Sequence, residues 1–82
     1  MIPNQISQEH VLLALEQIDQ QGIPPNRESR KFHLHHNGRP YPPKYVISLA
    51  SQYATGRALP PKEFTGGEET NRFLRNLGFR VE

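Results

Sequence analysis

The chain has 82 residues, no cysteine, and ten Lys and Arg against eight Asp and Glu. Only 31 of its residues are apolar or glycine, against the usual ~45–50%, so an enzyme with a deep enclosed cavity is disfavoured and a module that binds on its surface is favoured. Disulfides and thiolate metal sites are excluded, which suits a reducing compartment. No apolar run approaches the ~20 residues of a membrane span, and the start MIPNQISQEH lacks the regions of a signal peptide, so a cytoplasmic location is expected.

In chain order, the first helix should start after Ser7 as N-cap, carry Glu9 in its first turn and run to Gln21 before Gly22 stops it. Val11, Leu12, Leu15 and Ile18 would form its core face, opposite a Gln-rich one. Ile23 to Ser29, with two prolines and an Asn, is a connector. Asn37-Gly38 then predicts a two-residue type I′ hairpin, because both central positions need positive φ. That turn would set His36 opposite Arg39, His35 opposite Pro40, Leu34 opposite Tyr41 and His33 opposite Pro42. Phe32, Leu34 and Tyr41 would face the core, with His33 and His35 on the other side. Pro40 and Pro42 cannot donate to a ladder, so the second strand must lie at an edge.

Pro43 suits a helix start, and Tyr45, Val46, Ile47, Leu49, Ala50, Tyr53 and Ala54 form a broad stripe ended by Gly56. After a Gly- and Pro-containing loop, Thr65 and Glu68 have capping-box spacing for a last helix, and Leu77-Gly78-Phe79 fits a Schellman stop. Phe79 and Val81 read as a short final strand with Arg80 facing out. The expected fold is α+β: three helices packed on a small antiparallel sheet made of the hairpin and the C-terminal strand, in one domain spanning 1–82. In outline it is near a winged helix, except that the hairpin precedes the second helix.

Charge is uneven. Residues 1–23 sum to −3, residues 24–60 to +5 and residues 61–82 to zero, which places a basic pole in the middle third and argues for a polyanionic partner. Four local features could carry chemistry. His33 and His35 share a strand face and could ligate zinc, yet no third ligand sits at motif spacing. A hairpin before a helix is also the order of a ββα-metal nuclease, but the following helix offers Ser48, Ser51 and Gln52 and no metal ligand. Thr65-Gly66-Gly67 opens the last helix, where bare amides could hold an anion, with Asn71, Arg72 and Arg75 near; against this stand Glu68 and Glu69 and the simpler role of letting the chain turn. Arg39-Pro40-Tyr41-Pro42-Pro43-Lys44 holds two cations and a ring on a stiff segment. Lys44 opposes the dipole of its own helix, so its charge points to use; the plainer alternative is a solvated connector.

The run YPPKYVISLA, followed by FTGGEETNRFLRNLGFRV, resembles a small domain at the N-termini of some McrA-like and other modification-dependent restriction endonucleases. In that pattern a Tyr-Pro-x-Lys helix start precedes a Phe-x-Gly-Gly helix that ends in Leu-Gly-Phe. The likeness covers roughly 30–82 and is carried by Tyr41, Pro42, Lys44, Phe64, Gly66, Gly67, Asn71, Leu77, Gly78 and Phe79. It implies an accessory DNA-binding domain beside a separate nuclease, either as part of a larger protein or as a free-standing relative.

The expected function is non-catalytic binding of double-stranded DNA, without cofactor or metal. Arg30, Lys31, Arg39 and Lys44 would contact phosphate, with Tyr41 or His35 near a sugar or base and Arg57, Gly66, Gly67, Asn71 and Arg72 extending the surface. One stiff ledge would gather these groups on a common side. The competing class is a protein-interaction or dimerisation module that uses the Gln-rich helix face and the strand edge near Pro40, with a nuclease domain or other protein as partner.

Overall fold

The computed structural model describes residues 1–82. Helix α1 spans Gln8–Gln21, β1 Leu34–His36, β2 Arg39–Tyr41, α2 Pro43–Thr55, α3 Glu68–Asn76 and β3 Arg80–Val81, with single 3-10 turns at Pro25–Arg27 and Pro61–Glu63. This is the expected α+β arrangement of three helices and an antiparallel sheet. No helix is long and apolar enough to cross a membrane.

Local chemistry explains the boundaries. The Ser7 amide donates to His10 Nδ1 at 2.9 Å at the start of α1, and Gly22, at φ +79°, closes it by donating to the Ile18 carbonyl at 2.8 Å. The core face of α1 is Val11, Ala14, Leu15 and Ile18, an i, i+3, i+4, i+7 stripe. Leu12, expected on that face, is 40% exposed, because it stands about 100° around the helix from Val11. On α2, Val46, Ile47, Leu49 and Ala50 are buried as expected, but Tyr53 is 43% exposed and donates to Gln17 Oε1 at 2.8 Å. The stripe also takes in two serines. Ser48 and Ser51 are buried and donate to the Leu59 and Arg57 carbonyls at 2.7 and 2.8 Å, which fastens the loop after α2 back onto the helix.

The hairpin turns at Asn37 (φ 51°) and Gly38 (φ 76°), with the register Leu34–Tyr41, His35–Pro40 and His36–Arg39. The sheet order is β2-β1-β3, with Leu34 opposite Val81 and His35 opposite Arg80. His33 and Glu82 exchange backbone bonds of 2.7 and 2.9 Å. Pro40 has no N–H, so β2 stays at an edge and β3 adds on the other side of β1. Leu34, fully buried, is thereby the centre of both sheet and core.

The stop of α3 is the Schellman motif: Phe79 donates to the Leu74 carbonyl at 3.1 Å and Gly78 to Arg75 at 2.9 Å. Its start differs from expectation. The N-cap is Gly67, and Thr65 pairs with Glu69, not Glu68: the Thr65 amide and hydroxyl donate to Glu69 Oε1 at 2.8 and 2.9 Å. Gly67 at φ +65°, ψ −123° turns the chain into the helix two residues later than the capping-box spacing supposes.

Candidate nucleic-acid interface

The connector after α1 and the first turns of α2 and α3 enclose a groove of about 470 Å³. One wall is Arg27 to Phe32; the other is built from Pro42, Pro43 and Lys44 of α2 and from Gly66, Gly67, Thr70 and Asn71 of α3. Both helices therefore begin beside one space; Pro42 and Pro43 have no N–H, so α2 brings the Lys44 amide and α3 the amides of Gly66 and Gly67. Ser29 Oγ donates to the Phe32 carbonyl and holds the connector in its bend.

Four cations, Arg27, Arg30, Lys31 and Lys44, line the groove against one carboxylate, Glu28. None of the four belongs to an ion pair; the pairs are Arg39–Asp19, Arg57–Glu63, Arg72–Glu68 and Arg80–Glu82. Neutral groups hold three of the groove cations, Arg27, Lys31 and Lys44, in place. Arg27 Nη2 donates to Ser48 Oγ at 2.6 Å with its guanidinium 5.1 Å from the Tyr45 ring centre. Lys44 Nζ donates to the Pro61 carbonyl at 2.8 Å and lies 4.9 Å from the Phe64 ring, so the charge that opposes the α2 dipole also clamps the next loop. Lys31 stands 5.5 Å over Phe32. A cation held by a hydroxyl, a carbonyl or a ring keeps its full charge for a ligand.

At the foot of the α3 wall, Thr70 donates to the Thr65 carbonyl at 2.7 Å, while Asn71, 3% exposed, has a carboxamide oxygen with no partner. Gly66 leaves 3.7 Å between the place of a Cβ and Lys44 Cδ. Glu68 and Glu69, expected to repel an anion here, line a separate hollow with Thr65 and Arg72. The Thr65 amide and hydroxyl hold the Glu69 carboxyl below the usual carboxylate range.

Of the expected residues, Arg30, Lys31, Lys44, Gly66, Gly67 and Asn71 meet at the groove. Arg39, Tyr41, Arg57, Arg72 and His35 do not, and the single ledge is corrected to that extent. The hairpin carries Arg39 to the end of α1, where Nη1 donates to Asp19 Oδ1 at 2.7 Å and Tyr41 donates to the same oxygen at 2.8 Å. Burial first, and then this bond to Asp19, raises the Tyr41 phenol above its ordinary pKa. Arg57 is gripped by both Glu63 oxygens, at 3.2 and 2.5 Å, which lowers the Glu63 carboxyl. Arg72 pairs with Glu68 one turn back. His35 sits on the sheet, its ring centre 6.3 Å from that of His33. Sequence reasoning missed Arg27 as a site residue; its signal was Ser48, a polar residue inside the apolar stripe of α2 that required a partner.

Residues 4–82 match the model of the family described as ScoMcrA-like, N-terminal head domain. The chain belongs to that family. Its fold is that of part of a solved structure, the Type IV phosphorothioation-dependent restriction endonuclease ScoMcrA, with a TM-score of 0.69 over 96% of this chain at 22% identity. The chain spans 13% of that protein's length. No curated protein matches it. Of the ten residues that carry the sequence resemblance, Pro42, Lys44, Gly66, Gly67 and Asn71 border the groove.

Proposed function

We propose that this head domain is a non-catalytic accessory module that binds double-stranded DNA beside a nuclease, with the groove as the contact surface. The observation that carries this is the convergence of four cations free of carboxylate partners with two helix N-termini. Phosphate oxygens satisfy both the guanidinium and ammonium groups and the bare amides. Such contacts place the protein on the duplex without reading its sequence.

Salt titration of duplex binding tests the proposal. Three or four neutralised phosphates give a log–log slope of about −2.7 to −3.6, at ~0.9 per contact. No duplex affinity at low salt, on modified and unmodified DNA alike, rejects it. A docking module is the second reading, favoured by the exposed Leu12 and Leu13 on the outer side of α1. It predicts a salt-insensitive dimer that ignores DNA.

A further inference from the structure

The groove holds more than a cationic rim requires. Resting on the DNA-binding reading, we infer that it seats a single unstacked nucleotide, with phosphate on the α3 amides at Gly66 and Gly67, the base against Phe32, and the base edge on Asn71. Three observations support this independently of net charge. First, 470 Å³ matches pockets for small organic ligands, at ~300–1,000 Å³, and is many times the ~30 Å³ share of one water. A lone phosphate leaves most of it empty.

Second, Asn71 is only 3% exposed, lines the groove and has an orphaned carboxamide oxygen. Buried polar groups are nearly always paired, so an orphan on a residue that borders a cavity points to a missing partner, which a small turn of the carboxamide would let it reach. The phosphate oxygens of DNA carry no proton to give to that oxygen, whereas every base edge sets a donor beside an acceptor, the complement of a carboxamide. Third, Phe32 is the one ring on the lining and is half-buried, with Lys31 above it. An aromatic face beside a cationic track is the usual platform for single-stranded bases. A base inside a duplex stack cannot reach a side chain as deep as Asn71, so the nucleotide must leave the stack.

The test compares deoxyadenosine monophosphate with deoxyribose 5-phosphate, of matched phosphate charge, while following the Asn71 side-chain and Phe32 resonances. The nucleotide should bind roughly tenfold tighter, the scale of one base–aromatic stack, and should move the Asn71 carboxamide signals. Asn71→Leu should keep sugar-phosphate affinity and lose the preference; if that variant does not fold, Phe32→Leu serves the same purpose. Equal affinity for the two probes overturns the inference. A short single strand should compete for the same shifts more tightly than the mononucleotide, and failure to compete overturns DNA as the source. Salt-dependent duplex binding with no nucleotide preference removes the pocket and leaves the proposed function standing; nucleotide preference without duplex binding removes the proposed function.

Discussion

At the hairpin corner Arg39 sits on a proline-stiffened strand and meets Asp19 at 2.7 Å. In the groove Arg27 follows two prolines and rests on Ser48 and the ring of Tyr45. Both regions are basic in sequence, and both are preordered. The difference lies in what the fold brings to them: a carboxylate from the end of α1 in one case, a hydroxyl and a ring from α2 in the other. Cation density along a chain therefore measures potential charge, and the partners supplied from distant segments decide how much of it stays available.

The comparison breaks most readily at the charges themselves. Arg30→Ala combined with Lys31→Ala should reduce the magnitude of the salt slope for duplex binding by about 1.8, two contacts at ~0.9 each. Arg39→Ala should leave it unchanged. A slope that responds equally to both replacements would erase the distinction between the regions.

Two glycines sharpen it further. Gly67→Ala (φ +65°) and Gly38→Ala (φ +76°) both impose a left-handed backbone on a side chain, at a cost of about 1–3 kcal/mol of stability each, seen in denaturant midpoints. Only the Gly67 variant should also weaken DNA binding, since it alone reshapes the groove wall.

A smaller effect is expected from Asp19→Asn. The Arg39–Asp19 pair is largely exposed, with side chains 63% and 39% accessible, so its loss should cost at most about 1 kcal/mol. The freed guanidinium should add a weak, salt-sensitive increment to binding if the corner lies within reach of the duplex, measured as a steeper slope than wild type.

The least effect is on pH. Glu63, Glu69 and Glu82 have lowered pKa values, each chiefly through a hydrogen bond, from Arg57, the Thr65 amide and Arg80 respectively. A carboxyl that is more acidic folded than unfolded stabilises the fold above its unfolded pKa and loses that contribution as pH falls through the folded one. Denaturant midpoints should be level from neutral pH down to the ordinary carboxylate range and then drift lower in acid, by a small amount because all three groups are exposed. A midpoint that rises in acid would contradict these assignments.

Much of the fold was legible because its signals are local. Ser7 and Gly22 bracket α1, Pro43 and Gly56 bracket α2, Gly78 stops α3, and Asn37-Gly38 fixes the hairpin register. The sheet order was not legible: Pro40 marks β2 as an edge strand, but the pairing of β1 with β3 joins segments over forty residues apart that no local signal connects. The site was half legible. Lys44, Gly66, Gly67 and Asn71 lie at helix starts whose positions the sequence marks, so they could be found. Arg39 and Arg27 could not be sorted, since their fates turn on Asp19 and Ser48, some twenty residues away along the chain in each case. The shift of the Thr65 partner from Glu68 to Glu69 was hidden for another reason: it depends on the unusual backbone of Gly67, which a spacing rule cannot see.

The pair of backbone hydrogen bonds between His33 and Glu82 joins the middle strand to the segment of β3. During synthesis on the ribosome the hairpin must wait, one flank bare, until the stretch from Arg80 to Glu82 emerges. Cleavage before Arg80 should therefore uncover a strand ready to recruit a neighbouring molecule, turning loss of β3 into self-association.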